Sequence, residues 1–245
     1  MIETNPLKTY PSIVARLRDT IAGDKALEAA VGGDFITVGK LEAALLNQLG
    51  LGSGHQLVDV GCGSGRLALQ LATSARLNYL GTDIVPDLLD HARKLCARPD
   101  WRFEISDGIS IPLESDRADF VCFFSVFTHL THEDSFRYLR EAKRVLRPGG
   151  KIVFSFLEFF IYSHWTVFEL SVEKGALGDH LNQFIGMDGI QAWAHHLGLI
   201  VEALHDGDKP HIPIREPLVW QNGRTMTEMG ELGQSVAVFR KPQLT

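Results

Sequence analysis

Apolar positions along this chain switch between a helical and a two-residue period. Residues 12–31 carry Ile13, Val14, Leu17, Ile21 and Ala22 near helical spacing, and Gly32-Gly33 stops the run. A second helix is predicted from Thr37, read as its N-cap, to about Leu49. Strand and helix then alternate: a strand over Gln56–Val60, a helix over 66–73, a strand over 77–82, a helix over Pro86–Cys96, and a strand over 101–105. Residues 118–124 are almost wholly apolar, which suits a central parallel strand buried on both faces. Thr131-His132-Glu133-Asp134 has the form of a capping box and opens a helix to about Leu146. A turn at Pro148-Gly149-Gly150 leads to a strand over 151–156, followed by a helix over Met187–Leu197 and strands over 199–204 and 234–239. Repeated βα units predict an α/β protein with a parallel sheet and helices on both faces, and the closing pair is expected to add an antiparallel edge strand. Residues 157–186 and 205–232 are too long for simple connections and read as lids or small subdomains.

Composition narrows the class. The chain has 245 residues, 45% hydrophobic and 22% charged, which is globular and excludes disordered, collagen-like and coiled-coil readings. With 24 basic against 30 acidic residues the net charge is −6, so no nucleic-acid partner is expected. The run Arg137, Arg140, Lys143, Arg144, Arg147 and Lys151 reads as a solvated helix face. Cys62, Cys96 and Cys122 form no Cys-x-x-Cys pair, so neither a disulfide framework nor a cysteine zinc site is expected. The N-terminus lacks the basic-then-apolar order of a signal peptide. The most apolar stretches fall short of the roughly 20 residues of a membrane span. A cytoplasmic location follows as the expectation.

The segment 57–67 carries most of the chemical information. An apolar strand enters Gly61-Cys62-Gly63-Ser64-Gly65, and a helix follows. Glycines there permit positive φ and close approach of a ligand to the backbone, while a helix N-terminus offers N–H groups to an anion. The dinucleotide fingerprint G-x-G-x-x-G/A fails, because Arg66 stands at the sixth position, and the phosphate loop G-x-x-x-x-G-K-[ST] is absent. Asp83 lies 22 residues after Gly61 at the end of the second strand, where a carboxylate accepts from ribose hydroxyls, with Ile84 beside a flat base. Asp107-Gly108 follow the third strand, placed to accept from an exocyclic amine.

Val58–Gly65, Gly81–Ile84, Ser106–Gly108, Ala118–Leu130 and Glu141–Lys151, in that order, resemble the motifs of class I S-adenosylmethionine-dependent methyltransferases. The resemblance covers about residues 37 to 157. It implies a Rossmann-like seven-stranded, mostly parallel sheet with helices on both faces, an N-terminal helical cap and a lid insertion. It implies one domain over residues 1–245, divided into a cap (1–36), a donor-binding core (37–156) and acceptor-side lid segments (157–186 and 205–232). It implies that Gly61, Cys62, Gly63, Ser64 and Gly65 hold the methionine part, with Asp59 supporting the loop and the ligand amine. Asp83 and Ile84 would take the ribose and base, Asp107 and Gly108 the adenine, and Phe124 and Ser125 would pass beneath the methionine amino group. The product would be S-adenosylhomocysteine.

Methyl transfer from a sulfonium is an in-line displacement, largely a matter of positioning, and a base serves only an acceptor that must lose a proton. His129, after the fourth strand, is the base candidate; its bland alternative is a histidine leading into the next helix. No metal is expected. The adjacent His195 and His196 diverge on a helix, and His205-Asp206-Gly207-Asp208…His211 reads as a polar turn. The aromatic run after Phe156 suggests a pocket role for Tyr162 and Trp165 and an aromatic or lipid-like small-molecule acceptor, or a homodimer face. Two rivals remain: a non-catalytic S-adenosylmethionine-binding protein working through a partner, and an NAD-dependent oxidoreductase, against which the glycine spacing speaks.

Overall fold

The structure, a computed structural model, describes residues 6–73, 76–106, 108–174 and 181–243. It opens with helices α1 (Pro6–Thr20), α2 (Lys25–Ala30) and α3 (Phe35–Gln48). The single helix expected over 12–31 is two, because the chain turns at Gly23 with φ +66°, a conformation that costs glycine little. The cap of α3 is Asp34 rather than Thr37: the Thr37 N–H donates to Asp34 Oδ1 at 3.0 Å.

The alternating region comprises β1 (Gln56–Val60), α4 (Arg66–Leu71), β2 (Asn78–Asp83), α5 (Pro86–Cys96), β3 (Arg102–Ile105), β4 (Ala118–Phe123), α6 (His132–Val145) and β5 (Leu146–Phe156). Thr131 caps α6, its hydroxyl accepting from the Asp134 N–H at 3.2 Å. The turn expected at Pro148-Gly149-Gly150 lies instead within β5, with Gly149 at φ +83°. There Gly149 and Gly150 exchange 2.9 Å backbone hydrogen bonds with Lys241. The chain continues through α7 (Tyr162–Lys174), α8 (Met187–Leu197), β6 (Ile200–His205), the short strands β7 (Ile212–Pro213), β8 (Leu218–Val219), β9 (Thr225–Met226) and β10 (Met229–Gly230), and β11 (Ser235–Arg240).

Seven strands form one sheet in the order β3-β2-β1-β4-β5-β11-β6, the first five parallel. The antiparallel strand is not at the edge as expected. β11 is inserted between β5 and β6 and runs antiparallel to both. Burial explains the placement: Val236, Ala237, Val238 and Phe239 are fully buried, whereas β6 keeps exposed and half-buried positions that suit an edge. Helices cover both faces. Leu45, Leu71 and Leu89 of α3, α4 and α5 pack on one side, and Leu139 and Ile190 of α6 and α8 on the other. The stretch 205–232 folds into two small antiparallel ladders, β7 with β10 and β8 with β9, that brace α3. Thr37 Oγ1 donates to the Val219 carbonyl at 3.3 Å, and the Gln221 N–H to Asp34 Oδ2 at 2.9 Å.

Candidate active site

At the sheet's midpoint the strand order turns back, β2 and β3 lying on one side of β1 and β4 and β5 on the other. Ligands of open α/β sheets bind outside the carboxyl ends of strands at such a point. A cavity of about 930 Å³ opens there. Its floor is made by the ends of β1, β2 and β4, through Asp59, Gly61, Cys62, Gly63, Asp83, Ile84, Phe124 and Ser125. One wall comes from α1 and α2, the other from α7 and residues 181 and 182.

Asp83 is buried, and its carboxylate accepts from the Gly63 N–H (Oδ2) and the Val85 N–H (Oδ1), both at 2.9 Å. Burial raises its pKa to about 6 against these two hydrogen bonds, which pull it down. Each oxygen retains a lone pair, the capacity a vicinal diol needs. Gly61 and Gly63 take positive φ, +73° and +55°. A Cβ on Gly63 would stand 2.4 Å from Val31 Cγ1, so glycine there admits the turn after α2 against the loop. Gly65 and Ser64 do not line the cavity, contrary to expectation. Gly65 is where α4 meets α5: a Cβ would lie 3.0 Å from the Cα of Ala92, so this third glycine serves helix packing. Ser64 is fully buried beneath the loop, and its carbonyl meets His91 Nδ1 at 3.0 Å. Asp107 lies outside the described residues. Gly108 stands behind the lining, its carbonyl taking hydrogen bonds from Ser106 Oγ at 2.7 Å and from the Tyr138 hydroxyl, while Ser106 and Tyr138 reach the cavity themselves.

Asp59 sits deeper. It accepts from the Tyr79 hydroxyl at 2.7 Å and the Cys122 thiol at 3.5 Å, and burial, reinforced by Glu42, raises its pKa to about 7. Burial also pushes the Cys62 thiol well above its ordinary value, which makes it an inert wall rather than a nucleophile. Beside the floor, Glu42 of α3 and Arg66 of α4 form a buried ion pair at 2.5 Å. Arg66 also donates to the carbonyls of Val31 and Gly32, both at 3.1 Å, and so fastens the N-terminal helices to the glycine loop.

His129 lines the cavity after β4, and its Nδ1 lies 2.9 Å from the Leu181 carbonyl. A carbonyl only accepts, so Nδ1 carries the proton and Nε2 is the basic nitrogen of the neutral ring. Ser125 holds a left-handed φ of +59°, and its N–H donates to Ser155 Oγ at 2.7 Å, a strained backbone kept by its surroundings. Tyr162 and Trp165 do not reach the cavity. Tyr162 is 84% exposed, and Trp165 Nε1 donates to Glu169 on the outer side of α7. Helical register is the reason: Val167, Leu170, Ser171 and Lys174 form the stripe that faces the cavity. The aromatic residues anchor the helix from another face, with Phe159 stacked on Phe184 at 5.3 Å and Phe168 edge-on to both. Sequence reasoning missed Tyr10, Ile13, Leu17 and Val31 of the cap and Ser171 and Asn182 of the far wall; no motif marks them. The stretch 205–232, expected on the acceptor side, contributes no lining residue because it packs on α3.

Other expectations resolve locally. In the basic run Arg137, Arg144, Arg147 and Lys151 pair with Asp134, Glu141, Asp119 and Glu202. His205 and His211 stack face to face at 4.1 Å, and among the described residues no group of three or more His, Cys, Asp or Glu stands together as a metal site. No described helix is long and apolar enough to cross a membrane.

Comparison with known proteins agrees with this geometry. A family described as "Methyltransferase domain" matches residues 58–154, from β1 through β5. The chain is 27% identical over 172 residues to the 27-O-demethylrifamycin SV methyltransferase of Amycolatopsis mediterranei, covering 68% of this chain and 62% of that one. It is 34% identical over 149 residues to the malonyl-acyl-carrier-protein O-methyltransferase of Serratia marcescens, covering 56% of each. The match thus spans little more than half the length of these curated relatives. In fold, the chain is similar to a S-adenosylmethionine-dependent methyltransferase of Methanosarcina mazei (TM-score 0.59, 15% identity, 81% of this chain and 98% of that one). It is likewise similar to a TehB-like one of Corynebacterium glutamicum (TM-score 0.54, 24% identity, 97% and 100%). Residues 58–154 thus match the methyltransferase-domain family, and the chain shares the fold of S-adenosylmethionine-dependent methyltransferases.

Proposed function

We propose that this protein transfers the methyl group of S-adenosylmethionine to a heteroatom or carbon of a small-molecule acceptor. Oxygen is favoured because three of the curated relatives are named O-methyltransferases, two of them of malonyl-acyl-carrier protein. The observation that carries the reading is one cavity whose floor joins a glycine turn to a buried carboxylate with spare lone pairs. When bound, S-adenosylmethionine supplies an electrophilic methyl on a sulfonium. Asp83 would hold the ribose, the turn from Gly61 to Gly63 would lie against the methionine part, and Ser106 and Tyr138 would face the base end. The N-terminal cap would close over the donor. Residues 157–186 would form the acceptor-side lid, with 205–232 acting as a brace for α3 instead. His129 would accept a proton at Nε2 from an acceptor hydroxyl, oriented through Nδ1 by the Leu181 carbonyl, so that lid docking and base orientation are one event.

Thermal unfolding tests the donor site. S-adenosylhomocysteine at 100-fold over its Kd should add about 2.7 kcal/mol, a shift of roughly 5–10 °C for a chain this size. Asp83→Ala should abolish the shift. A shift with NAD alone would return the oxidoreductase. A normal shift without turnover across acceptor classes would favour the non-catalytic rival.

A further inference from the structure

We propose that the acceptor half of the cavity is built for an apolar molecule bearing one anionic group, which Lys174 pairs with. The inference rests on the methyltransferase reading. Val167, Leu170, Ser171 and Lys174 occupy positions i, i+3, i+4 and i+7 of α7, one face, and all four line the cavity. Ile13, Leu17 and Leu130 line the same cavity, whose surface is mainly apolar. There Lys174 forms no ion pair or hydrogen bond among the described residues.

Among the described residues, the carboxylates that line the cavity are held by partners other than Lys174. Glu42 pairs with Arg66, Asp59 accepts from Tyr79 and Cys122, and Asp83 accepts from two backbone N–H groups. On α7 itself, Glu169 accepts from Trp165 Nε1, and Glu173, one residue before Lys174, points about 100° away around the helix. A lysine in a last turn gains from the helix dipole wherever it sits around the axis. That gain does not account for its place on the cavity stripe. An exposed ammonium on the cavity stripe, with no carboxylate partner among the described residues, favours an anionic ligand over a neutral one of the same shape.

A neutral polar contact accompanies it. Asn182 Nδ2 donates to Ser171 Oγ at 3.0 Å, and Ser171 Oγ donates to the Val167 carbonyl at 2.8 Å. The amide is thereby oriented, with Oδ1 and the second N–H left for the acceptor. Carboxylate and phosphate share the chemistry that Lys174 recognises.

The test is dye binding to protein saturated with S-adenosylhomocysteine. The probes are anilinonaphthalene sulfonate and phenylnaphthylamine, its neutral parent. The anionic dye should bind about tenfold tighter than the parent, as one charge-assisted contact would give. Lys174→Met, which keeps the stem and sits at an exposed helix end, should bring the two within about twofold, and Lys174→Glu should invert the preference. The Kd of S-adenosylhomocysteine should not move in either variant. Naphthoate and naphthyl phosphate as displacers then tell a carboxylated acceptor from a phosphorylated one. Equal affinity of the two dyes, no saturable binding of the anionic dye, or a preference that survives Lys174→Met overturns the proposal. So does loss of the dye signal in Phe160→Ser/Tyr162→Ser, which would put the dye on the exposed aromatic residues. Failure of S-adenosylhomocysteine to stabilise the protein overturns the methyltransferase reading as well, and so separates the two.

Discussion

Single side chains on the cavity floor are oriented by specific hydrogen bonds. His129 is the clearest case. Its Nδ1 proton goes to the Leu181 carbonyl, so its basic atom is determined by a backbone group 52 residues away. His129→Gln keeps a donor for that carbonyl but removes the proposed base. For an acceptor that must be deprotonated, kcat should fall about 100-fold or more. Binding of S-adenosylhomocysteine, read by calorimetry, should be unchanged, and an acceptor already ionised at the assay pH should lose little. The residue identities at this level were mostly legible. Gly61, Gly63, Asp83, Phe124, Ser125 and His129 all reach the cavity because strand ends and short turns place them there. Gly65 was legible as a glycine but not in its role, since a contact with Ala92 of α5 cannot be read from a local spacing.

Among the elements, the N-terminal helices and α7 differ in how they are held. The former are tied to the floor by Arg66, which spans α4, α3 and the turn after α2. Removing one partner of a buried pair strands the other charge, at a cost of roughly 3–5 kcal/mol. Arg66→Met should therefore lower stability by that order in urea denaturation. The Arg66→Met/Glu42→Gln double variant should recover part of it, because no buried charge is left unpaired. Both should weaken donor binding, since the carbonyls of Val31 and Gly32 lose their anchor. Helix α7 is held by ring contacts and by His164, which accepts from the Glu158 N–H at 3.1 Å and donates to the Gly233 carbonyl at 2.9 Å. Ends of elements followed local chemistry where a cap or proline marks them, as at Thr131 and Pro86. They departed from it where two signals compete, as Asp34 displaced Thr37.

For the molecule as a whole, the buried acids govern pH behaviour. Asp59 and Asp83 have folded pKa values of about 7 and about 6 against 3.8 when exposed, and Glu42 is also raised, all chiefly by burial. A folded state that holds these protons more tightly than the unfolded one gains stability below about pH 4. It loses that stability as pH rises through 6 and 7. The ligand-free protein should therefore unfold at a lower temperature at pH 8 than at pH 5. Each pKa unit counts for about 1.4 kcal/mol, so the drop should be several degrees. Asp59→Asn stays neutral, can still accept from Tyr79, and should flatten that slope and raise the melting temperature at pH 8. Donor affinity should run the other way, improving as pH rises through about 6, because hydroxyls donate better to an ionised Asp83.

Local order in this chain was written along the chain: the βα alternation, the glycine turn and the acid 22 residues after Gly61 follow from backbone geometry within short segments. Those patterns suffice for a parallel sheet and the floor of the cavity, because a strand end carries its turn residues wherever the strand goes. The inner position of β11, the two outward aromatics of α7 and the partnership of Arg66 with Glu42 depend on which surfaces meet across the fold. Burial competes over the whole domain at once: the most apolar strand takes the inner place, and a helix turns the face that its neighbours can cover toward them. A cavity wall assembled from α1, α7 and residues 181 and 182 has no sequence spacing of its own, and packing alone brings it together.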